Sequence, residues 1–387
     1  MVLFEERPEG DWSEATFFGN SKNIVSSPKV IKSLKKDNDN RVDQPFVLKS
    51  RLFDMVIADW DRHEDQWRWA SYKDKEGQLF KPIPRDRDQA MFMNEGILPK
   101  IASRKWAVPK VEGFNDKIRW SPGFNFNAKY FDRMFLSDLS RKEWIDITKQ
   151  LQDQLPDKAI EGAVKVWPKE IYDLSGEKTV ATFKARRDNL EAAALELYDY
   201  MAKEVEVLGS DKKELVTIEK ISPEELKVTL QKISKKGNLE QILYERTFYA
   251  NETKEVRIYG FGGDDVFKIT GEETNKIKVR IIGGEGDDQI IDVSTSSTTK
   301  RISVYDNKST AIEGAKIKSK LSNQPDINRY DKYGFMYDVL MPVGYFKANA
   351  DDGLFLGGGF IYTKYKWRKK PFGSMHFLTG DLAAATG

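Results

Sequence analysis

The sequence contains no cysteine and only two histidines, His63 and His376, among its 387 residues. Without thiols, the chain can form neither disulfide bonds nor thiolate metal sites. Two histidines so far apart do not suggest a histidine-rich zinc site. Long apolar runs are missing too, since no stretch reaches the roughly eighteen apolar residues of a membrane-spanning helix.

An excess of charge of one sign is also lacking. The 63 Lys and Arg residues are nearly matched by 61 Asp and Glu residues. This balance argues against a nucleic-acid partner bound by bulk charge. The length allows two or three domains. Residues 1–15 lack the basic start and the apolar core of a signal peptide, so we expect the sequence to begin inside a longer protein.

The most informative segment is DWDRHEDQWRW, residues 59–69. Its Asp61-Arg-His is followed by an amide side chain at Gln66. About twenty residues later, IPRDRDQAM adds a second acidic pair, Asp86 and Asp88. Phosphoryl transfer needs one carboxylate to orient the attacking hydroxyl, and an amide and another carboxylate to hold metal ions. The order and spacing of Asp61, Gln66 and Asp86 suit these three roles.

A structural interpretation of this segment stays open. In it, the acidic residues pair with Arg62 and Arg68 and form only a salt-bridged surface loop. These acidic residues are Asp59, Asp61, Glu64 and Asp65. Geometry separates the two interpretations. In a phosphoryl-transfer site, the three predicted side chains should place their oxygens within roughly 8 Å of one another.

Hydrophobic spacing places the segment between a helix and a hairpin. Residues 44–58 have the pattern of a largely buried helix. Alternation predicts strands at Trp67–Tyr72 and Leu79–Ile83, joined by a turn at residues 75–77. Further along, a capping-box pattern S-x-x-E opens a helical block over residues 140–205.

An internal repeat with a period of about twenty-three residues follows the helical block. Each copy is a short apolar strand, and the three copies lie at residues 256–260, 279–283 and 302–306. We expect these strands to be neighbours in one stack. The turn GGEGDDQI matches the calcium-binding nonapeptide of β-rolls, which makes Asp264, Asp287 and Asp288 candidate calcium ligands. The alternative is a solvated acidic turn.

From Tyr330 onward, long aromatic-rich stretches alternate in polarity between polar turns. Such alternation is typical of outer-membrane barrel strands, although a soluble antiparallel sheet remains open. Strand parity divides the residues into two faces. The face predicted to meet lipid carries Phe355, Ile361, Tyr365 and Trp367. The face predicted to be polar carries Tyr362, Lys364 and Lys366.

The Asp-Arg-His segment and PIPRDRDQ together resemble the catalytic loop of atypical kinases. These are the phosphoinositide-kinase, HipA and secretory-kinase group, and especially the CotH-like spore-coat kinases. With FEERPEGDW at residues 4–12, GFGGDDVF and IIGGEGDD, the whole chain is similar to large Bacteroidota cell-surface proteins. Those proteins join a kinase-like module to a β-repeat and a surface-antigen-type barrel, often behind a metallophosphoesterase-like domain.

The resemblance implies roles for individual residues. Asp61 would be the catalytic base, Gln66 would replace a metal-binding Asn, and Asp86, with Asp88 as its substitute, would hold Mg or Mn with ATP. The arginines implied to contact phosphate or neighbouring carboxylates are Arg62 and Arg85. The Gly-rich nucleotide lobe would precede residue 1, so this chain alone should be inactive.

The predicted fold class is therefore α+β. A mostly helical kinase-like C-lobe is expected at residues 1–210, a β-rich repeat domain at 211–325, and the first strands of a truncated outer-membrane barrel at 326–387. The expected function is a cell-surface phosphotransferase. The alternative is a non-catalytic outer-membrane assembly protein with a pseudokinase-like, calcium-binding module. Expected partners are outer-membrane lipid and the missing N-terminal lobe of the same protein, with no nucleic acid.

Overall fold

The structure, a computed structural model, describes residues 10–14, 18–73, 77–295, 301–314, 317–349 and 353–383. Residues 4–9 of FEERPEGDW and residues 75–76 of the predicted turn lie outside the described residues. The chain divides into two units, of which the larger is Met1–Phe92 with Phe114–Tyr330. The smaller is Met93–Gly113 with Asp331–Gly387. None of the described helices is both long enough and apolar enough to cross a membrane.

The helices of the described chain range from four to twenty residues. In chain order they are α1 (Ser27–Lys36), α2 (Gln44–Val56), α3 (Ile97–Ala102), α4 (Ser121–Phe124), α5 (Lys129–Phe135), α6 (Arg141–Asp153), α7 (Asp157–Lys165), α8 (Lys169–Asp188), α9 (Leu190–Met201) and α10 (Pro325–Asn328). The predicted capping box opens α6, where the backbone N–H of Ser140 donates to Glu143 Oε2 at 2.7 Å. That prediction is confirmed.

The strands form four sheets. In chain order they are β1 (Asn23–Ser26), β2 (Arg41–Val42), β3 (Trp67–Lys73), β4 (Gln78–Pro84), β5 (Glu204–Leu208), β6 (Glu214–Lys220), β7 (Glu225–Ile233), β8 (Leu239–Tyr249), β9 (Glu255–Gly262), β10 (Val266–Thr270), β11 (Lys278–Glu285), β12 (Gln289–Asp292), β13 (Ile302–Asp306), β14 (Ala311–Gly314), β15 (Lys318–Leu321), β16 (Val339–Asn349), β17 (Gly353–Lys364) and β18 (Ser374–Ala383).

The predicted fold class is wrong. It was α+β, with a mostly helical kinase-like lobe, then a stacked β-repeat, then antiparallel strands beginning an outer-membrane barrel. The described chain is α/β, with 31% helix and 34% strand, and its sheets are mostly parallel or mixed. Part of the reason is local. The short strands β1 and β2 add to the edges of the β3–β4 hairpin through backbone hydrogen bonds, which leave no periodic pattern in the sequence.

The first sheet holds the Asp-Arg-His segment in place. Its strand order is β1-β3-β4-β2, and β3 and β4 form the predicted antiparallel hairpin. On one side of this sheet, Trp67 stacks on Phe131 of α5 with ring centroids 4.6 Å apart. Trp69 packs against Phe135 of the same helix at 4.9 Å. All four rings are buried, so these tryptophans build core.

The repeat forms a stack of two sheets, here called the stack and comprising β5 to β15. One sheet has the order β15-β13-β11-β9-β5, and the other has β14-β12-β10-β6-β7-β8. Val256, Val279 and Ile302 lie in register on adjacent parallel strands, which confirms the predicted repeat. The strands run parallel because each repeat of the chain makes one circuit through both sheets. Valine and isoleucine side chains fill the space between the sheets.

The smaller unit contains α3 and an antiparallel sheet with the order β16-β17-β18. The predicted assignment of its faces is wrong. Leu356 and Leu378 are each 73% exposed, and Phe360 shares their face, whereas Phe355 and Ile361 of the predicted lipid face are only half-exposed. Parity separated the faces correctly. It could not show which one is covered, since aromatic residues occur on both.

Candidate functional site

The β3–β4 hairpin brings together two of the predicted site residues. Gln66 immediately precedes β3 and Asp86 follows β4, so antiparallel pairing places them side by side. The amide Nε2 of Gln66 donates to Asp86 Oδ2 at 3.3 Å. The backbone N–H of Arg85 donates to the carbonyl of Gln66 at 2.9 Å. An amide and a carboxylate twenty residues apart in sequence thus form one pair.

Asp61 lies in the loop before the hairpin and is half-buried. Its Oδ1 accepts a hydrogen bond from Asn127 Nδ2 at 2.6 Å. Asn127 lies in the 3-10 turn Phe126–Ala128 that leads into α5. The sequence analysis missed Asn127, because a single asparagine in an aromatic-rich turn has no periodic or motif signal.

The other end of the Gln66 amide is also engaged. Its Oε1 accepts from the backbone N–H of His63 at 3.3 Å and closes a capping box around the 3-10 turn Glu64–Gln66. A carbonyl oxygen has two lone pairs, so this bond leaves one free to meet a cation. The turn therefore fixes the orientation of Gln66 without consuming all of its ligand capacity.

Arg62 anchors the loop from inside the protein. Its Nε and Nη2 donate to the two oxygens of Asp54 at 2.9 and 3.1 Å, and Nη2 also donates to Asp59 at 2.7 Å. Nη1 donates to the carbonyl of Arg85, which ties the loop to the end of β4. Of the two roles that the resemblance implied for Arg62, pairing with carboxylates is the one in this structure.

A buried ion-pair cluster continues from Asp54, and it comprises Arg51, Asp54, Asp59, Arg62 and Asp132. Arg51 donates to Asp132 at 2.7 Å and to Asp54 at 3.0 Å. Burial raises the pKa of Asp59 to about 6, although the charge of Arg62 opposes the shift. The charged Arg51 and Asp54 at spacing i, i+3 within an apolar helix were the available signal for this cluster.

Backbone strain concentrates around the same loop. Asp86, Ala58 and Met91 all have positive φ, at 53°, 56° and 57°. Non-glycine residues rarely adopt this conformation, and such strain clusters at functional sites. Met91 is held by its N–H, which donates to the carbonyl of Ile57 at 2.7 Å. The strain at Asp86 directs an exposed carboxylate beside Gln66.

The remaining residues of the predicted kinase-like site lie close by in sequence. Asp88 is exposed and accepts from Gln89 Nε2 at 3.0 Å. Arg85 is half-buried, and within the described chain its Nε and Nη1 have no hydrogen-bond partner. Both nitrogens are shielded from solvent, so an anionic ligand such as a phosphate oxygen could reach them only after the side chains around them move.

The predicted calcium ligands lie in the stack and point in different directions. Asp264 and Asp287 are exposed on neighbouring turns, where Asp264 Oδ1 accepts from the backbone N–H of Asp287 at 3.0 Å. Asp288 is buried. The three therefore do not share one surface turn. No group of three or more His, Cys, Asp or Glu side chains in the described residues is arranged to hold a metal ion.

Comparison with known proteins adds nothing to this geometry. No family model, curated protein or solved structure matches the chain.

Proposed function

We propose that the segment from Asp61 to Asp86 is a metal-dependent phosphoryl-transfer site of the atypical-kinase kind. The contact between Gln66 and Asp86 carries this proposal, because it joins the two residue types that hold metal ions in such sites. The positive φ of Asp86 and the unpaired donors of Arg85 support it.

In this proposal each residue has one task. Asp86 and the Oε1 atom of Gln66 would hold Mg²⁺ or Mn²⁺, and the ion would neutralise the phosphate charge of ATP. Arg85 donates to a phosphate oxygen. Asp61 accepts the proton of the attacking hydroxyl while Asn127 fixes its carboxylate. Asp88 is the substitute metal ligand. The nucleotide lobe implied by the resemblance is the expected partner of this half-site.

We also propose that the protein acts at a cell surface, where its C-terminal strands contact the lipid of the outer membrane. The support is the exposed face of the three-stranded sheet, where Leu356, Phe360 and Leu378 lie side by side on paired strands. A contiguous apolar face of this kind marks a membrane or protein contact.

The second candidate function is a pseudokinase-like assembly module without catalysis. One observation favours it: both ends of the Gln66 amide already bind protein groups, Asp86 and the backbone of His63. In that case the loop would be a rigid structural element, and its carboxylates would bind no metal.

Metal binding by the purified chain separates the two candidates. We expect Mn²⁺ binding, followed by electron paramagnetic resonance, to weaken at least tenfold in Asp86→Asn. The matched control Asp65→Asn changes an exposed carboxylate of the same loop and should leave binding unchanged. Asp61→Asn should retain Mn²⁺ and lose phosphate transfer from labelled ATP once the nucleotide lobe is supplied. Equal Mn²⁺ binding by Asp86→Asn and the unaltered chain would favour the assembly module.

Flotation with lipid vesicles tests the membrane proposal. We expect Phe360→Lys to reduce co-flotation, because it places a charge in the centre of the apolar face. Thr379→Lys adds the same charge to the opposite face of the sheet, since Thr379 pairs with Gly359 on β17. If both variants float as well as the unaltered chain, this face does not contact lipid.

A further inference from the structure

Residues 93–113 form an exposed segment between β4 and α4, here called the 93–113 loop. Its large apolar side chains are turned outwards. Ile97 and Leu98 are 78% and 79% exposed, and Trp106 is 50% exposed. Met93 and Val108 are exposed as well. Soluble proteins rarely display so many apolar side chains on one segment, and those that do use them to contact a membrane or another protein.

The 93–113 loop is held in shape by its own hydrogen bonds. The amide of Asn94 donates to the carbonyl of Val111, which joins the two ends of the loop, and to the carbonyl of Pro99 at 3.3 Å. The N–H of Val108 donates to the carbonyl of Ala102 at 2.8 Å and closes the turn that follows α3. The apolar side chains are therefore presented from a fixed backbone.

The short helix α3 sorts its apolar side chains to one side. Ile97, Leu98 and Ile101 have the spacing i, i+1 and i+4, which places them within about a third of the circumference of the helix. Lys100 lies next to this apolar side, and Arg104 follows the end of the helix. Basic side chains thus border the apolar side chains.

The loop is basic, although the charge of the whole chain is nearly balanced. Its exposed charged residues are three basic side chains and one acid, namely Lys100, Arg104, Lys105 and Glu95. Within the described chain, neither Lys100 nor Arg104 forms an ion pair with an acid. Cations beside apolar side chains complement a surface that carries anionic head groups above hydrocarbon. Tryptophan, as at position 106, is enriched at that boundary.

We propose that the 93–113 loop binds the surface of a membrane that contains anionic lipid. Ile97, Leu98 and Trp106 enter the boundary between head groups and hydrocarbon, while Lys100 and Arg104 meet lipid phosphates. The loop belongs to the same compact unit as the β16–β18 sheet. In taking a membrane rather than a protein as the partner, the inference rests on the proposed lipid contact of that sheet, but it assigns a separate element.

A fluorescent label tests the contact directly. The chain has no cysteine, so Leu98→Cys provides a single attachment point for an environment-sensitive dye. Its emission should move to the blue when vesicles of phosphatidylcholine mixed with phosphatidylglycerol are added. Vesicles of pure phosphatidylcholine, which carry no net charge, should cause a smaller shift. The same dye on Lys142→Cys, an exposed position of α6, should respond to neither.

Sedimentation with the mixed vesicles measures the apolar contribution. The double variant Ile97→Ser with Leu98→Ser should bind about tenfold more weakly or worse, because two apolar side chains no longer leave water. Both positions are exposed, so the fold should be unaffected. The matched control Val166→Ser with Leu174→Ser alters side chains of the larger unit that are 81% and 84% exposed, and it should bind as the unaltered chain does.

Removing positive charge tests the contact with the head groups. Lys100→Gln and Arg104→Gln should each weaken binding to the mixed vesicles about fivefold at low salt. The loss should shrink at high salt, because ions screen the attraction. The control Lys142→Gln removes an exposed charge from α6 and should have no effect at either salt concentration.

Three results would overturn the inference. The first is a dye at position 98 that responds no better to mixed vesicles than to pure phosphatidylcholine. The second is a serine double variant that binds as tightly as the unaltered chain. The third is a blue shift that grows with protein concentration in the absence of vesicles, since a second copy of the chain would then cover the loop.

The variant Phe360→Lys separates this contact from that of the sheet. In that background the dye at position 98 should still respond to mixed vesicles, because the loop is unaltered. If Phe360→Lys reduces co-flotation while the dye never responds, the sheet contacts lipid and the loop does not. If the dye responds while Phe360→Lys floats as well as the unaltered chain, the loop is a membrane contact and the face of the sheet is not.

Discussion

Two groups of buried aspartates lie in the larger unit, and they differ in what balances their charge. In the ion-pair cluster beneath the Asp61 loop, Asp54 and Asp132 are bound by the guanidinium groups of Arg51 and Arg62. At the corner of the stack where β11 and β13 end, Asp288 and Asp306 each accept a backbone N–H through one oxygen, and their carboxyls lie within hydrogen-bonding reach of each other rather than of an arginine.

The difference indicates which of the two groups has its charge balanced by arginine and which does not. The charge of a buried carboxylate paired with arginine is balanced, so the pair acts by fixing the position of the chain around it. A buried carboxylate without a counter-charge is destabilising until a proton or a cation arrives. The ion-pair cluster therefore holds the candidate active loop, and the corner of the stack is the place where protonation changes stability.

The largest effect is expected from removing a guanidinium group from the ion-pair cluster. Arg51→Leu leaves Asp54 and Asp132 partly unpaired in the core, which should lower the free energy of unfolding by about 3–5 kcal/mol. Denaturant titration measures this. In the control, Lys142→Ala removes an exposed pair with Asp146 and should cost less than about 0.5 kcal/mol. Similar losses in both variants would mean that the buried pairing contributes little.

The stack also contains an acid that two arginines contact, Glu255, and the pH dependence of stability should reveal its contribution. Burial would raise the pKa of Glu255, but the charges of Arg257 and Arg280 outweigh it and lower the pKa to about 2. The folded chain thus favours the ionised carboxylate. Its contribution is complete above the unfolded pKa of about 4.5 and is lost as pH falls from there towards 2.

Glu255→Gln should therefore lower the free energy of unfolding by up to about 3 kcal/mol at pH 7, since each pKa unit corresponds to about 1.4 kcal/mol. The difference from the unaltered chain should shrink between pH 4.5 and pH 2. Urea titrations at a series of pH values follow this change. A difference that stays constant with pH would show that lost packing, rather than charge, is responsible.

Adding a methyl group beside the carboxyls of Asp288 and Asp306 should cost somewhat less stability. In Gly283→Ala the new methyl group meets Asp288 and Asp306, and we expect a loss of about 1–3 kcal/mol in the free energy of unfolding. Gly162 of α7 has open space around it, so Gly162→Ala should instead stabilise by about 0.5–1 kcal/mol. Thermal unfolding of the two variants should show Tm shifts of opposite sign. A rise in Tm for both variants would mean that the carboxylates of Asp288 and Asp306 do not lie beside Gly283.

The smallest effect distinguishes the two groups of aspartates most directly. Replacing Asp by Asn should change the free energy of unfolding in opposite directions in the two groups. At pH 9, above the raised pKa of about 8 of Asp288, Asp288→Asn removes an unbalanced charge and should raise the free energy of unfolding by about 1 kcal/mol. Asp132→Asn weakens the pairing with Arg51 and should lower it. Chemical denaturation of both variants in the same buffer gives the comparison. If both changes have the same sign, the two groups of aspartates do not differ in how their charge is balanced.

The sequence predicted features that depend on local pattern or on repetition. The β3–β4 hairpin followed from alternation, and the neighbouring strands of the stack followed from the near-identity of VRIYG and VRIIG. The proximity of Gln66 and Asp86 was predicted from their expected roles in one phosphoryl-transfer site, and the hairpin is the element that brings them together. In each case the chain itself specifies the contact through short-range geometry.

Other features depend on long-range contacts that no local pattern encodes. Asn127 reaches Asp61 across 66 positions. The direction of Asp288 depends on Gly283 in its own turn and on Asp306 in the next one. The exposed face of β17 was assigned wrongly because composition shows which residues are apolar, whereas exposure depends on what packs against them.

Hairpin β7–β8, inserted into the first circuit of the stack, has a consequence for solubility. Stacked parallel strands offer open backbone groups at their ends, onto which another molecule can add. The hairpin pairs with β6 and ends that sheet in a strand with register shifts near Gln231, whose irregular geometry discourages further pairing. The opposite end of the stack carries Lys318 and Lys320 on the short strand β15, and like charges repel a second copy. A chain lacking the hairpin should therefore expose the edge of β6 and self-associate more readily than the unaltered chain.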